Sequence, residues 1–320
     1  MKNWLYNWVS DWTVTWNRFW FEPQIPTTLA LIRVLTGCMV FYNHLVWSLG
    51  MATFLGPNAA LPTAYRSELL PGGQYAWSHF DWSDSNLWLW GSHVAGLIVV
   101  AMWTIGFKTR WTGWLTAALV ISYANRASGA LFGFDQIATF LCLYLAISRC
   151  GDALSVDALR GLQNGTIDRK ATDHPRQGRA VANRIATRLI QIHLCIVYAF
   201  AGLGKLGGEF WLNGEAVWGA LASYEYQSLD MTWLAGHMPL IAAMTLVSLI
   251  WEVTYAALIW PKLTRPIVLT IAVMVHIGIG AAMGMMTFGL IMLVANLAFI
   301  EPDCWPFASS KQSDGSPEPS

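Results

Sequence analysis

Charged residues are scarce in this sequence. Asp, Glu, Lys and Arg make up 12% of its 320 residues, and their formal charges cancel. Nothing in this balance indicates nucleic-acid binding, which requires a basic surface. The five cysteines form no C-x-x-C pair, so neither a disulfide framework nor a thiolate metal site is expected. Gly-x-Ser-x-Gly and His-Glu-x-x-His are also missing, which disfavours the commonest hydrolase mechanisms.

Apolar residues dominate instead. They account for 55% of the chain, and several apolar runs approach or exceed the roughly 20 residues needed to cross a bilayer. The sequence therefore predicts an all-α, polytopic integral membrane protein. Eight spans are predicted, at about residues 27–49, 86–106, 110–124, 130–148, 187–206, 236–260, 265–284 and 286–300.

Both ends of the chain differ from this central region. Trp4, Trp8, Trp12, Trp16 and Trp20 recur every fourth residue and sweep one broad aromatic face of a helix. Residues 1–22 are therefore predicted to form an amphipathic interfacial helix, and no cleavable signal peptide is expected. Residues 25–305 are expected to form the transmembrane domain, and the polar residues 306–320 a disordered tail.

The positive charges predict an orientation. With eight spans, nearly all Lys and Arg residues outside the spans fall on one side, whereas the opposite side has only Arg66 and Arg126. Because Lys and Arg favour the cytoplasmic side, both termini are predicted to be cytoplasmic. A bacterial inner membrane is the expected location.

Lys205 is the most informative residue, because it lies near the end of an apolar run. An ionisable group at membrane depth is a functional-site candidate. Desolvation disfavours the charged form of an amine, and a neutral lysine near pH 7 is a usable base. The fifth span is predicted to enter the membrane from the cytoplasm near Arg188. Lys205 then lies about 26 Å further along this helix, near the exoplasmic boundary of the membrane. The alternative is that Lys205 only extends its amine to the interface. Arg126, Asp135 and His276 could converge with it on one outward-facing cavity.

Two further predictions concern an ion pair and a possible ligand-binding tyrosine. Arg33 and Glu252 both fall in the inner half of the membrane and are expected to form a structural ion pair. Tyr198 lies two helical turns from Lys205 on the same face and could bind a ligand. The run Gly202-Leu-Gly-Lys-Leu-Gly207 fits G-x-G-x-x-G, but it ends a transmembrane helix, so close packing is the preferred interpretation.

Several segments together resemble one family. The block Tyr198-Ala-Phe-Ala-Gly-Leu-Gly-Lys-Leu, followed by Trp211-Leu-Asn-Gly214, resembles the hallmark of vitamin K-dependent γ-carboxylases. Bacterial relatives of these enzymes are grouped as the horizontally transferred transmembrane (HTTM) domain. Further similar segments, in the same order, are Ala30–Arg33, Ala124–Arg126, Phe132–Gln136, Gly151–Asp157, Glu252, His276 and Phe288. The resemblance covers about residues 25–305.

The resemblance implies an activity and its residues. Lys205 would be the weak base that deprotonates reduced vitamin K or another membrane quinol. Oxygenation by O2 would then drive removal of a glutamate γ-proton and addition of CO2, without a metal. Arg126 and His276 align with catalytic positions of the family, and Tyr198, Asn125 and Asp135 with its quinone-binding region. A secreted peptide or protein would be the substrate, with membrane lipid as the surrounding partner.

The sequence also departs from the family's animal enzymes. Gly204 stands where those enzymes have a second lysine, and Arg126 stands where they have a loop histidine that can shuttle protons. A large exoplasmic substrate-gripping domain is not expected here. Two functions therefore stay open: a quinol-dependent carboxylase-like enzyme, or a non-carboxylating HTTM protein that binds lipid or assists maturation or export of a secreted peptide. A transporter is less favoured, since no inverted repeat is evident.

Overall fold

The fold consists of helices. The computed structural model describes residues 2–62, 76–163 and 180–305, and within those ranges no β-strand forms. An isolated backbone bridge joins Gln24 and Ala180. The predicted disordered tail, 306–320, lies outside the described residues. Both the fold class and its polytopic character agree with the prediction from composition.

The described α-helices are numbered here in chain order. They are α1 Lys2–Phe21, α2 Thr27–Trp47, α3 Met51–Phe54, α4 Asn86–Ile105, α5 Thr109–Arg126, α6 Gly133–Ile147, α7 Val156–Gln163, α8 Val181–Leu206, α9 Glu209–Leu212, α10 Ala216–Leu221, α11 Met238–Leu258, α12 Arg265–Ala282 and α13 Met286–Asn296.

Each of the eight predicted spans corresponds to one of these helices. Five of them are long and apolar enough to cross a membrane, namely α2, α4, α8, α11 and α12. The other three are α5, α6 and α13, of which α6 and α13 are shorter apolar helices. The chain is thus an integral membrane protein, whose orientation and particular membrane stay predictions.

The short helices α6 and α13 lie in the middle of the bundle. Leu141 and Leu145 of α6 and Ile291 and Ala295 of α13 are completely buried. A close approach makes this possible at Gly289, where a Cβ would lie 2.3 Å from the carbonyl oxygen of His276. Because lipid is as apolar as Leu, helices in a membrane associate through such close packing rather than through the hydrophobic effect.

The helix α1 contacts the bundle at its C-terminal end. The Arg188 guanidinium lies 4.0 Å from the centre of the Phe19 ring, and Arg184 forms a 3.0 Å ion pair with Glu22. Trp8 and Trp12 further back are exposed. The predicted helix is therefore present, whereas its position in the membrane interface stays a prediction.

The side chain of Asp157 joins the connection after α6 to the start of α5. Asp157 accepts hydrogen bonds from the backbone N–H groups of Lys108 (2.9 Å) and Thr109 (2.7 Å), at the start of α5. Burial acts to raise the pKa of Asp157. The hydrogen bonds from Thr109 and Lys108 and the charge of Arg33 outweigh it, so the pKa lies below its ordinary value. These bonds satisfy N–H groups that the first turn of α5 leaves unpaired.

The segment between α8 and α11 folds back over α11. Gly214 adopts φ +80°, and a Cβ there would lie 2.9 Å from Cβ of Ala242. The Val217 N–H donates to the hydroxyl of Thr245 (3.2 Å). The helices α9 and α10 therefore cover the N-terminal half of α11.

Candidate functional site

Lys205 forms an ion pair with Glu252. Its Nζ lies 2.5 Å from both carboxylate oxygens. The pair forms because α8 and α11 pack closely at Gly202, where a Cβ would lie 2.8 Å from the backbone nitrogen of Val253. The Glu252 side chain is 9% exposed and that of Lys205 is 25% exposed, so the carboxylate is the more deeply buried partner.

The predicted ion pair between Arg33 and Glu252 is wrong. Arg33 is fully buried, and its guanidinium donates to the carbonyl oxygens of Cys150 (3.2 Å) and Leu154 (2.5 Å). Similar depth was the only ground for that pair, and depth does not say which helices are neighbours. The side-by-side packing of α8 and α11 gives Glu252 to Lys205 instead.

The pair lies well inside the length of the bundle. Lys205 is the penultimate residue of α8, but α11 begins at Met238, fourteen residues before Glu252. At 1.5 Å per residue, α11 extends about 21 Å beyond the pair on that side. Lys205 is thus at the end of its own helix, whereas its partner lies fourteen residues after the start and six before the end of the neighbouring helix. The predicted position of Lys205 near the exoplasmic boundary stays a prediction.

One side of the lysine is open. A Cβ on Gly204 would meet no atom within 4 Å. Phe200 and Leu203, one turn earlier on α8, are 75% and 59% exposed. The Trp211 ring lies against the amine, with its centre 4.6 Å from Nζ. An aromatic or apolar molecule could therefore approach Lys205 from the side of the bundle.

A chain of hydrogen bonds lies next to the pair. The Nδ1 of His276 is 2.9 Å from the carbonyl of Ala272, which only accepts, so a neutral His276 carries its proton on Nδ1. Its Nε2 then accepts from the Tyr198 hydroxyl at 3.3 Å. Asn296 donates to the Tyr198 oxygen (3.0 Å) and accepts from the Tyr255 hydroxyl (2.6 Å). The direction of every bond in the chain is therefore fixed.

This chain contains two of the predicted site residues, Tyr198 and His276, and two that sequence reasoning missed, Tyr255 and Asn296. All four are buried. An asparagine in an apolar helix was the available signal for Asn296, since an unsatisfied amide is costly in a membrane. Nothing in the sequence linked Tyr255 to Tyr198, since the contact depends on how α8 and α11 pack.

Arg126 and Asn125 lie elsewhere and hold loops. The Arg126 side chain is 1% exposed, donates to the carbonyls of Gly56 and Leu61 (2.8 Å for Leu61), and lies 3.8 Å from Asp81. Asn125 donates to the Trp77 carbonyl at 2.8 Å. Both residues therefore fasten the connection between α2 and α4.

Asp135 has a local role at the start of α6. It accepts from the Phe132 N–H (2.8 Å) and from the Asn43 amide (3.3 Å). The four residues expected in one outward-facing cavity therefore divide: His276 lies beside Lys205, whereas Arg126 and Asp135 find their partners in other parts of the bundle.

Tyr123 is the centre of a second polar cluster. Its hydroxyl lies 2.6 Å from Nδ1 of His93, and its ring packs 4.2 Å from that of His44. Nearby, Nδ1 of His79 is 2.6 Å from the Ser122 hydroxyl. Burial lowers the pKa of His79 to about 4, with Asp81 opposing the shift and His93 adding to it. His79 is therefore neutral at physiological pH.

The fold and the ion pair define an all-α polytopic membrane protein with a Lys–Glu pair between two of its helices. The HTTM domain family model matches residues 137–305, and the chain belongs to that family. The matched region contains Lys205, Glu252, Tyr198 and His276, while Arg33, Asn125, Arg126 and Asp135 precede it. No curated protein and no solved structure matches the chain.

Proposed function

We propose that this HTTM protein is a membrane-embedded enzyme with quinol-dependent, carboxylase-like chemistry, in which Lys205 takes up the proton. The observation that carries the proposal is the contact of the Lys205 amine with both oxygens of Glu252 at 2.5 Å. It is supported by membership of the HTTM family, whose matched region includes both residues.

Glu252 gives Lys205 a route to its uncharged form. A carboxylate can accept a proton from an ammonium group, which a backbone carbonyl cannot do. In a medium of low dielectric constant, separated charges are costly, so transfer within the pair costs less than in water. The resulting neutral amine is a base that can receive a proton from a weakly acidic hydroxyl.

The residues around the amine fit a lipid-soluble quinol. The amine is partly exposed, the side at Gly204 is open, and Trp211 presents an aromatic face beside it. When bound and oxygenated, such a quinol would supply the strong base needed to remove a glutamate γ-proton before CO2 adds. Tyr198 and His276 already bond to each other, so in this proposal they shape and order the neighbouring protein.

The remaining predicted site residues enter this proposal in a supporting role. Arg126 and Asn125 hold loop carbonyls, and Asp135 caps α6. We propose that Lys205 faces the exoplasmic side of a bacterial inner membrane, with both termini in the cytoplasm and a secreted peptide as substrate. The charge asymmetry of the sequence supports this orientation.

The test is quinol epoxidation by the purified protein. Reduced naphthoquinone, O2 and CO2 are supplied in membrane-like nanodiscs, and epoxide is quantified by chromatography. Lys205→Ala is expected to lower the rate by at least a hundredfold, in line with loss of a general base. The control Lys108→Asn changes an exposed lysine outside the site, and asparagine tolerates its left-handed backbone (φ 47°).

The variant Glu252→Gln tests whether Glu252 accepts a proton from Lys205 or only balances its charge. If Glu252 accepts the proton of Lys205, this variant should also lose most of its epoxidation. Full activity of folded Lys205→Ala protein would contradict the whole proposal.

A second function is favoured by a different observation. Lys205 and Glu252 neutralise each other, and Arg126 is fully engaged with carbonyls and Asp81, so all three could serve structure alone. The protein would then be a non-carboxylating HTTM protein that binds lipid or assists maturation or export of a secreted peptide. Copurification of a small secreted peptide with both wild-type and Lys205→Ala protein, without epoxide formation, would favour this function.

A further inference from the structure

A cavity of about 410 Å³ lies far from the pair, where the end of α1 meets α8 and the ends of α11 and α13. Its wall carries three acidic residues, Glu22, Glu301 and Asp303. Its five basic residues are Arg18, Arg184, Arg188, Lys262 and Arg265. The formal charge of the wall is thus five minus three, or +2.

The two acidic side chains that form ion pairs in this wall are each shared by two cations. Glu22 pairs with Arg184 (3.0 Å) and Arg18 (3.5 Å). Glu301 pairs in the same way with Lys262 (3.4 Å) and Arg265 (3.5 Å). These carboxylates are therefore used in neutralising four of the five cations.

Arg188 is the fifth cation, and its partners are neutral. It donates to the Phe19 carbonyl (3.1 Å) and the Gln191 side-chain oxygen (2.7 Å), and its guanidinium stacks on the Phe19 ring. Within the described ranges, no carboxylate lies within 4.0 Å of it. The Nε of Arg184 on the same wall is buried without a hydrogen-bond partner. Donors and charge here thus exceed what the protein itself satisfies.

We propose that this cavity binds a phosphate group, with Arg188 as its principal charge and Arg184 and Lys262 beside it. Guanidinium groups bind phosphate through paired, charge-assisted hydrogen bonds. The cavity volume lies in the range of small-ligand sites. The phosphate belongs either to an anionic lipid headgroup, for which basic pockets between membrane helices are suited, or to a free phosphate. The site is independent of the proposed chemistry at Lys205.

Native mass spectrometry of the delipidated full-length protein tests the site. Dioctanoyl phosphatidylglycerol and inorganic phosphate are titrated separately, and bound adducts are counted. Arg188→Gln is expected to weaken binding roughly tenfold, the effect of losing one charge-assisted contact. The matched control is Arg149→Gln, a 63% exposed arginine paired with Asp152 outside the cavity, which should bind like the wild type.

The two probes distinguish the sources. An Arg188-dependent adduct of phosphatidylglycerol alone supports a lipid headgroup, and an Arg188-dependent adduct of inorganic phosphate supports a free phosphate. Wild type that binds neither probe, or Arg188→Gln that binds as well as wild type, overturns the proposal. If Arg188→Gln does not fold, Lys262→Gln replaces it, because that side chain is 82% exposed. About threefold weaker binding is then expected, and unchanged binding overturns the proposal.

Discussion

Lys205 and Arg126 are both cations in apolar surroundings, but their partners differ in kind. Arg126 binds the carbonyls of Gly56 and Leu61, with Asp81 further away at 3.8 Å. Lys205 binds a carboxylate at 2.5 Å and is 25% exposed, against 1% for Arg126. A carbonyl can only hold a donor in place, whereas a carboxylate can also take its proton. Under the proposed function, the close carboxylate partner is therefore what distinguishes Lys205 from Arg126, whose nearest partners are carbonyls that only anchor it.

The polar groups around the two cations differ as well. Beside Lys205, a chain of hydrogen bonds runs from Tyr255 through Asn296 and Tyr198 to His276. Each of these side chains has a hydrogen-bond partner in it. Around Tyr123, the Nε2 atoms of His44 and His79 are buried without hydrogen-bond partners among the described residues. The first cluster is therefore the more completely hydrogen-bonded of the two, although both lie in the same bundle.

The largest effect is expected from Arg126→Met. The change leaves two loop carbonyls without their donor and Asp81 without its cation, which should lower the free energy of unfolding by about 3–5 kcal/mol. Arg149→Met, on an exposed pair, should change it by less than about 0.5 kcal/mol. Thermal and denaturant unfolding in detergent measure both. If Arg126→Met lowers the free energy of unfolding by less than about 1 kcal/mol, Arg126 does not anchor these loops.

The ion pair should give the next largest effect. Lys205→Met and Glu252→Gln are each expected to cost about 2–4 kcal/mol, because each leaves a partly buried group without its partner. The double variant should cost about 1–3 kcal/mol less than the sum of the two. Arg33→Met combined with Glu252→Gln serves as control and should be additive within about 0.5 kcal/mol. Additivity for Lys205 and Glu252 would show that the pair is not coupled.

The smallest effects are expected at two glycines near the end of α8, Gly202 and Gly204, where alanine should shift stability in opposite directions. Gly202→Ala places a methyl group 2.8 Å from the Val253 nitrogen and should destabilise by about 1–3 kcal/mol. Gly204→Ala meets no atom within 4 Å and should stabilise α8 by about 0.5–1 kcal/mol, the helix preference of alanine. Unfolding midpoints that shift in the same direction would contradict this assignment of the helix contact.

Much of the fold follows from apolar length. All eight predicted spans are helices, and those predicted at 130–148 and 286–300 are the short helices α6 and α13. Much of each is buried against other helices, with Leu141 and Leu145 of α6 and Ile291 and Ala295 of α13 completely buried. Helix α3, of four residues, was not predicted, because so short an element depends on its tertiary contacts.

The site was predictable only in part. Sequence marked Lys205, Glu252 and His276 because ionisable groups at membrane depth are costly, and Tyr198 because it lies two helical turns from Lys205 on the same face. It misassigned the partner of Glu252, because the period of a helix gives the face of a residue but not the neighbour that the face meets. Nor could the sequence indicate that α11 extends beyond the end of α8, and the depth of Lys205 in the membrane stays a prediction.

That overhang of about 21 Å has a consequence for access. On the side of the overhang, α9 and α10 pack over the N-terminal half of α11. The flank of α8 at Phe200, Leu203 and Gly204 is sparsely covered by comparison. Under the proposed function, the lipid-soluble quinol would therefore reach the amine along this flank of α8, and its supply would follow its oil–water partition coefficient.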